Sequence, residues 1–285
     1  VRRPKADPVK ALKMRQAIGE LYSTLFPKSW LRRRIADHQW DEIEADYLAV
    51  MVDPKRAAVD VGANVGKYAH KLSALAIKVY ALEPDPGLAR KIGRALAANV
   101  SIHAVAASVQ SGSAELHFPI IGGKPAGALA SVEQDVAAHD GHATRAITVP
   151  LVRLDAFVTD PVGFIKIDVE GHELAVLEGA VGLLQRDKPT ILIEAEERHK
   201  PGAVEHVRAF LEPLGYRGFF IRQGALVGVD QFSTDLQNPA ALDLSLTRKK
   251  MDYINNFIFV ASEQAAAFAE RMTTALRGDP AAQTA

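Results

Sequence analysis

Cysteine is absent from this 285-residue chain. Without a thiol there is no disulfide framework, no thiolate zinc or iron–sulfur site and no cysteine nucleophile, a profile that fits the cytoplasm. Net charge is missing as well: Lys+Arg and Asp+Glu both number 34, so the molecule has no bulk field with which to hold nucleic acid or an anionic membrane. No run approaches the ~18 apolar residues of a membrane span, and the chain does not open on the apolar core of a secretion signal. Nowhere do aromatic and basic residues interleave as on a surface that stacks bases. The expectation is a soluble, cytoplasmic protein with no stable membrane insertion and no nucleic-acid partner.

The zero net charge hides an asymmetry. Ten of the 34 basic residues lie in residues 1–34, against Asp7 and Glu20 alone, leaving 24 basic and 32 acidic residues in the remainder. A basic arm therefore precedes an acidic body. The length suffices for one large α/β domain with appendages.

Residues 9–52 contain "KALKMRQAIGELYSTLF" and "WDEIEADYLAVMV", whose apolar residues recur at three and four, so residues 1–52 are expected to form a basic arm and a helical cap. From Ala57 the pattern changes to short apolar runs alternating with amphipathic stretches, the mark of parallel strands joined by crossover helices. Strands are expected at 57–61, 78–82, 101–107, 163–168 and 190–195, and helices at about 66–76, 86–98, 172–185 and 202–213. An insertion at 111–149 interrupts this order. Within it "AELHFPI" and "AITVPLV" predict an antiparallel pair, joined by a stretch long enough to act as a lid or binding loop. "GFFIR", "ALVGV" and "NNFIFVA" predict antiparallel strands closing the sheet, so 53–262 would be the main domain and 263–285 a helix with a frayed tail, "GDPAAQTA".

The sharpest local pattern is "AVDVGANVGKY" at 58–68. A glycine at the strand end allows a tight turn, and one at the helix start lets a ligand approach exposed N–H groups; Gly62 and Gly66 fill these places, with Ala63 between them and Asn64. Asn64 stands where a dinucleotide fingerprint has glycine, and asparagine also tolerates left-handed torsions. Asp60 discriminates between ligands. A carboxylate at the strand tip repels a pyrophosphate but suits an ammonium or sulfonium group, the charge pattern of S-adenosyl-L-methionine. About twenty residues on, Glu83 ends "VYALEPDP", where an acid commonly hydrogen-bonds a ribose diol, and Pro84 and Pro86 stiffen the exit. Singly these features are ordinary packing glycines and a solvated charge; at this spacing they point to a cofactor loop.

A second motif, "FIKIDVEGHELAVLEGA", passes from a strand through a polar turn into a helix. Its strand should neighbour the first one at the switch point of the sheet, bringing Asp168 beside the cofactor turn. Alternation puts Lys166 and Asp168 on one side, and the plain structural reading is a buried pair. Helix-dipole stabilisation accounts for Glu173. It accounts less well for Asp168, Glu170 and His172, since three ionisable side chains at a strand end are costly unless they meet a ligand.

Taken in order, "DVGANVG", "ALEPDP", "LDAFV" and "IKIDVEGHELAVLEGA" resemble the FkbM family of S-adenosylmethionine-dependent methyltransferases over about residues 40–262. The resemblance implies the class I, Rossmann-like methyltransferase fold: a mostly parallel seven-stranded sheet, helices on both faces and an antiparallel last strand. It implies O-methylation of a hydroxyl on a sugar, polyketide or other small natural product, so a small-molecule or glycan acceptor is the expected partner. By the same resemblance Asp60, Gly62, Ala63, Asn64 and Gly66 would hold the methionine part, Glu83 and Pro84 the ribose, and Ala106 to Ser108 would lie near the adenine. Apart from the resemblance, Asp168, Glu170 and His172 are the candidate catalytic residues, and if a general base exists Asp168 or His172 would take the hydroxyl proton. Asp168, Glu194, Glu196 and His199 would suit a metal if they converged, but strand-end charges are ordinarily solvated and no metal is expected. His117, Lys124, His139 and His142 in the insertion are further candidates for acceptor contact. A homodimer, a nicotinamide-dependent oxidoreductase and a non-catalytic binding protein on the same fold remain open.

Overall fold

The apolar runs of the sequence lie side by side in the computed structural model, which describes residues 22, 24–37, 42–121, 124–125, 127, 130–133, 143–238 and 253–278. Strands β1 (Ala57–Val61), β2 (Lys78–Leu82) and β3 (Val100–His103) are parallel neighbours. On the other side of β1 the chain lays down β8 (Val162–Ile167) and β9 (Thr190–Glu194), again parallel. Antiparallel β12 (Asn256–Ala261) follows, then β10 (Tyr216–Arg222) and β11 (Ala225–Gly228). The order is β11-β10-β12-β9-β8-β1-β2-β3. The strand order reverses between β1 and β8, so the crevice for a ligand opens at their carboxyl ends.

Among the described residues the sheet thus has eight strands rather than seven. The additional one, β11, is an edge strand made by the two-residue turn Gln223–Gly224, whose φ values of 50° and 75° match the twist of a tight hairpin.

Side-chain alternation sorts the core into two layers. Val59, Val61, Ile165, Ile167, Ile191 and Ile193 face Val176, Leu177, Leu183, Leu184, Val204 and Leu211. These belong to α6 (Glu173–Glu178), α7 (Val181–Asp187) and α8 (Ala203–Leu211). Ala58, Val79, Ala81, Phe164, Leu192 and Ile258 face the opposite layer. That layer includes α2 (Leu48–Met51), α3 (Lys67–Leu72), α4 (Pro86–Gly93) and α9 (Ala265–Arg277). Because both faces are covered, the central strands read as nearly unbroken apolar runs. Each large aliphatic or aromatic side chain so buried contributes about 1.5–3 kcal/mol of transfer free energy.

Several boundaries differ from the sequence reading. The stretch 101–107 is two strands: after His103 the chain leaves the main sheet, and β4 (Ala106–Ala107) pairs with β7 (Thr144–Val152) in a second sheet. The expected helix at 172–185 is broken at Gly179–Ala180, where the Leu183 N–H donates to Asp155 Oδ1 from α5 (Leu154–Phe157) at 2.8 Å and restarts as α7. The helix expected to reach residue 98 ends at Gly93. Its start is well specified: Pro86 opens it, and Asp85 Oδ1 accepts the Gly87 and Leu88 N–H groups at 2.7 and 3.2 Å.

The insertion forms the antiparallel pair expected of it, β5 (Gly112–Ile121) with β7, extended by β6 (Lys124–Pro125). Of the N-terminal cap, α1 (Pro27–Asp37), a 3-10 turn (Ile43–Asp46) and α2 are described. Most of the basic arm and the tail at 279–285 lie outside the described residues. Among the described residues no helix is long and apolar enough to cross a membrane.

Phe164 is fully buried in the middle of β8, whereas Ile77 is 62% exposed. Phe164→Ala is expected to cost about 3–5 kcal/mol in denaturant unfolding, and Ile77→Ala no more than about 0.5 kcal/mol. Comparable losses would contradict the assigned core.

Candidate active site

The turn after β1 is built from left-handed residues: φ is +83° at Gly62, +47° at Asn64 and +81° at Gly66. The N–H groups of Gly62 and Ala63 both donate to the Leu82 carbonyl at 2.9 Å, and the Gly66 N–H to the Ala63 carbonyl at 2.7 Å. Gly62 is also needed for a close approach. The Asp168 N–H donates to the Val61 carbonyl at 3.0 Å, and a Cβ on Gly62 would lie 1.8 Å from the Asp168 carbonyl oxygen. The two motifs of the sequence thus meet backbone to backbone.

Asp60 points from β1 beneath this turn and is 1% exposed. Its Oδ2 is buried with no hydrogen-bond partner among the described residues. Burial pushes its carboxyl up to about 7, against the pull of Lys166. Lys166, fully buried, lies 4.0 Å from Asp168 Oδ2 and donates to Asn256 Oδ1 at 3.1 Å; its ammonium sits 5.2 Å from the centre of the Tyr68 ring. Burial alone would lower the Lys166 pKa, but Asp168, Glu42, Glu194 and Asp60 together raise it. The Tyr68 hydroxyl donates to Glu42 Oε2. Glu42, Asp60, Tyr68, Lys166 and Asp168 line one cavity against Gly62 and Asn64.

On the other side of the turn, Glu83 is tied to the loop it supports. Its Oε2 accepts the Asn64 N–H at 2.7 Å and its Oε1 the Asp85 N–H at 2.8 Å. Burial pushes this carboxyl up to about 8, although both N–H groups favour its ionised form. Glu83 and Pro84 border an open cleft, together with Gly62, Asn64, Ala106 and Asp168. Leu116, Ala130 and Val132 of the insertion supply its apolar wall, and Glu170 and His172 stand at its rim. Ala63 and Ser108 are buried beside these residues, Ala63 in the first cavity and Ser108 behind His172.

The polar turn after β8 is held from several directions. Glu170 has φ +51° and its carboxylate lies 3.0 Å from His199 Nε2, while its carbonyl accepts the Ser131 hydroxyl at 2.7 Å. Burial alone would lower the His199 pKa, but the hydrogen bond with Glu170 and the negative charges of Glu170 and Glu196 together raise it. Glu173 turns back so that Oε1 accepts the Gly171 N–H at 2.8 Å, and burial raises its carboxyl to about 7. His172 lies between two partners, Glu133 Oε1 at 2.6 Å from Nδ1 and Ser108 Oγ at 3.0 Å from Nε2.

The structure brings Asp60, Gly62, Ala63, Asn64, Glu83, Pro84, Ala106, Ser108, Asp168, Glu170 and His172 around two adjoining cavities. Gly66 is set back, its α-carbon packed towards Ile92 and Leu31. The carboxylates weighed as metal ligands have protein partners instead. Glu196 accepts from Arg198, Tyr253 and Asn255, and against the opposing effect of burial Arg198, Glu194 and Tyr253 hold its pKa well below the usual range. Glu194 accepts from Asn255. In the insertion, His117 is buried rather than open to the cleft, and His139 and His142 lie outside the described residues. Sequence reasoning missed Glu42, Tyr68, Ser131 and Glu133, each brought in from 26 to 39 residues away from its partner and marked by no local pattern.

The model of the methyltransferase FkbM domain matches residues 60–217, more than half of the chain. The chain belongs to the FkbM methyltransferase family. Its cofactor is accordingly S-adenosylmethionine. Among solved structures, methyltransferase FkbM from Methylobacillus flagellatus KT is similar at 17% identity and a TM-score of 0.46, covering 72% of this chain. This chain spans 44% of that one. An rRNA methylase from Streptococcus thermophilus is 14% identical with a TM-score of 0.43, over 77% of this chain and 93% of its own. M. jannaschii TYW2 in complex with AdoMet is 13% identical with a TM-score of 0.39, over 79% and 77%. A comparison with curated proteins finds no match.

The residues of this FkbM domain fit a cationic nucleoside. A buried carboxylate oxygen without a partner is costly until a donor or cation reaches it, and an ammonium group answers that need.

Gly62→Ala meets both a left-handed backbone and the Asp168 carbonyl, so it is expected to cost about 2–4 kcal/mol in thermal unfolding. Gly66→Ala, whose Cβ would meet nothing closer than 3.6 Å, is expected to cost only about 1–2 kcal/mol. Equal losses at the two positions would remove the close-approach argument.

Proposed function

We propose that the protein transfers a methyl group from S-adenosylmethionine to a hydroxyl of a sugar, polyketide or other small natural product. The observation that carries the reading is the partnerless Oδ2 of Asp60, buried beside a left-handed turn whose far side is braced by Glu83. On this reading residues 53–262 are the catalytic domain, with 111–149 inserted in it. Asp60, Gly62, Ala63, Asn64 and Gly66 receive the methionine end, with Asp168 adding negative charge next to the ammonium group. Glu83 accepts from the ribose hydroxyls with the lone pairs its two N–H partners leave, Pro84 borders that position, and the Ala106–Ser108 segment lies along the adenine.

When bound, the cofactor supplies a methyl carbon made electrophilic by positive sulfur. The protein's part is alignment. Holding the acceptor oxygen in line is worth effective molarities of about 10⁵–10⁸ M, against a typical 10²–10⁴-fold from a general base. The rigid β1–β8 junction, not a single titrating side chain, therefore accounts for most of the expected rate. An uncharged acceptor suits the cleft, since Leu116, Ala130 and Val132 face it. His172 suits a hydroxyl, because its Nε2 already lies against one, that of Ser108.

Calorimetry with S-adenosylmethionine tests the site assignment. Asp60→Ala and Glu83→Ala are each expected to weaken binding by about tenfold or more, the loss of one charge-assisted hydrogen bond. Asp168→Ala is expected to lower turnover. Unchanged affinity in Asp60→Ala would overturn the assignment, and cofactor binding with no transfer to any hydroxyl in a broad acceptor screen would favour a non-catalytic binding protein.

Affinity should also depend on pH. Both Asp60 and Glu83 have raised pKa values, about 7 and about 8, so below neutrality they are largely protonated. A cationic, diol-bearing ligand favours their ionised forms, so binding releases protons and the Kd falls as pH rises from about 6 to about 8. Titrations in buffers of different ionisation enthalpy measure that release, and proton uptake or none would contradict it.

A further inference from the structure

Among its described residues, the inserted segment hydrogen-bonds the turn after β8. Ser131 and Glu133 contact the turn after β8 through the Glu170 carbonyl and His172 Nδ1, at 2.7 and 2.6 Å. The remaining nitrogen of the same ring, Nε2, lies 3.0 Å from Ser108 Oγ. A carboxylate can only accept from Nδ1, so the Glu133 contact requires the proton of a neutral His172 to be on Nδ1. Nε2 is then an acceptor, and the Ser108 hydroxyl is its donor. The result is an imidazole oriented by a carboxylate on one side and presenting a bare nitrogen to an O–H group on the other, the arrangement that activates hydroxyls in general-base catalysis.

We propose that His172 takes the proton of the acceptor hydroxyl and that Glu133, supplied by the insertion, is the positioning residue that keeps Nε2 unprotonated and able to do so. This rests on the methyl-transfer reading above. The acceptor hydroxyl, coming from the cleft that His172 borders, replaces the Ser108 hydroxyl as the donor to Nε2. As the acceptor oxygen forms its bond to the methyl carbon, the carbon–sulfur bond breaks with its electron pair left on sulfur, which becomes a neutral thioether. The oxygen–hydrogen bond breaks and the proton passes to Nε2, giving an imidazolium paired with Glu133. Of the other ionisable groups nearby, Asp168 is engaged with Lys166 and Glu170 with His199, so neither presents a bare basic atom aligned with a hydroxyl donor in this way.

A purely structural latch makes a different prediction. Ala130 and Val132 wall the cofactor cleft, so a latch that fails would loosen cofactor binding, whereas a lost positioning residue acts on turnover. Glu133 is 47% exposed at its side chain, and its replacement should leave the fold intact. The test uses the full chain as wild type, Glu133→Ala and Glu133→Gln. In the cofactor-free protein, nitrogen NMR of the neutral His172 ring should show Nδ1–H in wild type and in Glu133→Gln, which keeps an acceptor oxygen. Glu133→Ala should populate Nε2–H. With cofactor and a methylatable hydroxyl, Glu133→Ala should lose about 10–100-fold in kcat with the KM for S-adenosylmethionine within about twofold, and Glu133→Gln should recover part of it.

A wild-type Nε2–H tautomer, or identical tautomers in wild type and Glu133→Ala, would overturn the proposal before any turnover is measured. So would a Glu133→Ala enzyme with normal kcat, or one whose defect is confined to cofactor KM. These results would leave the methyl-transfer reading standing. A wild-type chain that binds no S-adenosylmethionine would bring down both.

Discussion

The parallel pairing of β1 with β8 is the constraint on which the site depends. It sets the Val61 carbonyl against the Asp168 N–H and leaves no room for a side chain at residue 62. Once that junction is made, Asp60, Lys166 and Asp168 must share a small volume at the strand tips, because alternation points all three to the same side. This acidic cavity follows from backbone register. Few side chains there are free to choose another place.

That register also creates an electrostatic imbalance within the fold. One fully buried ammonium, Lys166, is surrounded by Asp60, Asp168, Glu42 and Glu194, and the Asp60 pKa is raised first by burial and further by Asp168 and Glu42. Removing such groups from water is expensive unless something positive repays it. The free protein meets part of the cost by holding protons, while a cationic guest can replace them. Stability of the empty site and affinity of the filled one are therefore opposed at the same atoms.

What could be read in the sequence was what is local. The turn from Asp60 to Gly66 carried its left-handed positions in Gly62, Asn64 and Gly66, and Glu83 lay at a spacing with a known geometric meaning. The Lys166–Asp168 pair followed from strand alternation. Boundaries failed where tertiary contacts decide them: His103 ends a strand because the chain crosses to a second sheet, and Asp155 restarts a helix from outside it. The contacts of the site that join distant segments left no trace in pattern. Glu42 reaches Tyr68 across 26 residues and Glu133 reaches His172 across 39, and neither carries a spacing rule. The acids and histidine after β9 invited a metal reading because sequence shows donors but not whom they serve; Arg198, Tyr253, Asn255 and Glu170 claim them.

The small sheet formed by β4, β5, β6 and β7 lies outside the main layers, yet residues 131–133, between β6 and β7, touch both the cleft wall and the turn after β8. Grafting this segment from a relative would therefore alter pocket shape and the hydrogen bonding of His172 in a single exchange. Chimeras that redraw acceptor preference should be judged with Glu133 retained and with it replaced, since a poor catalyst made by such a swap need not be a poor binder.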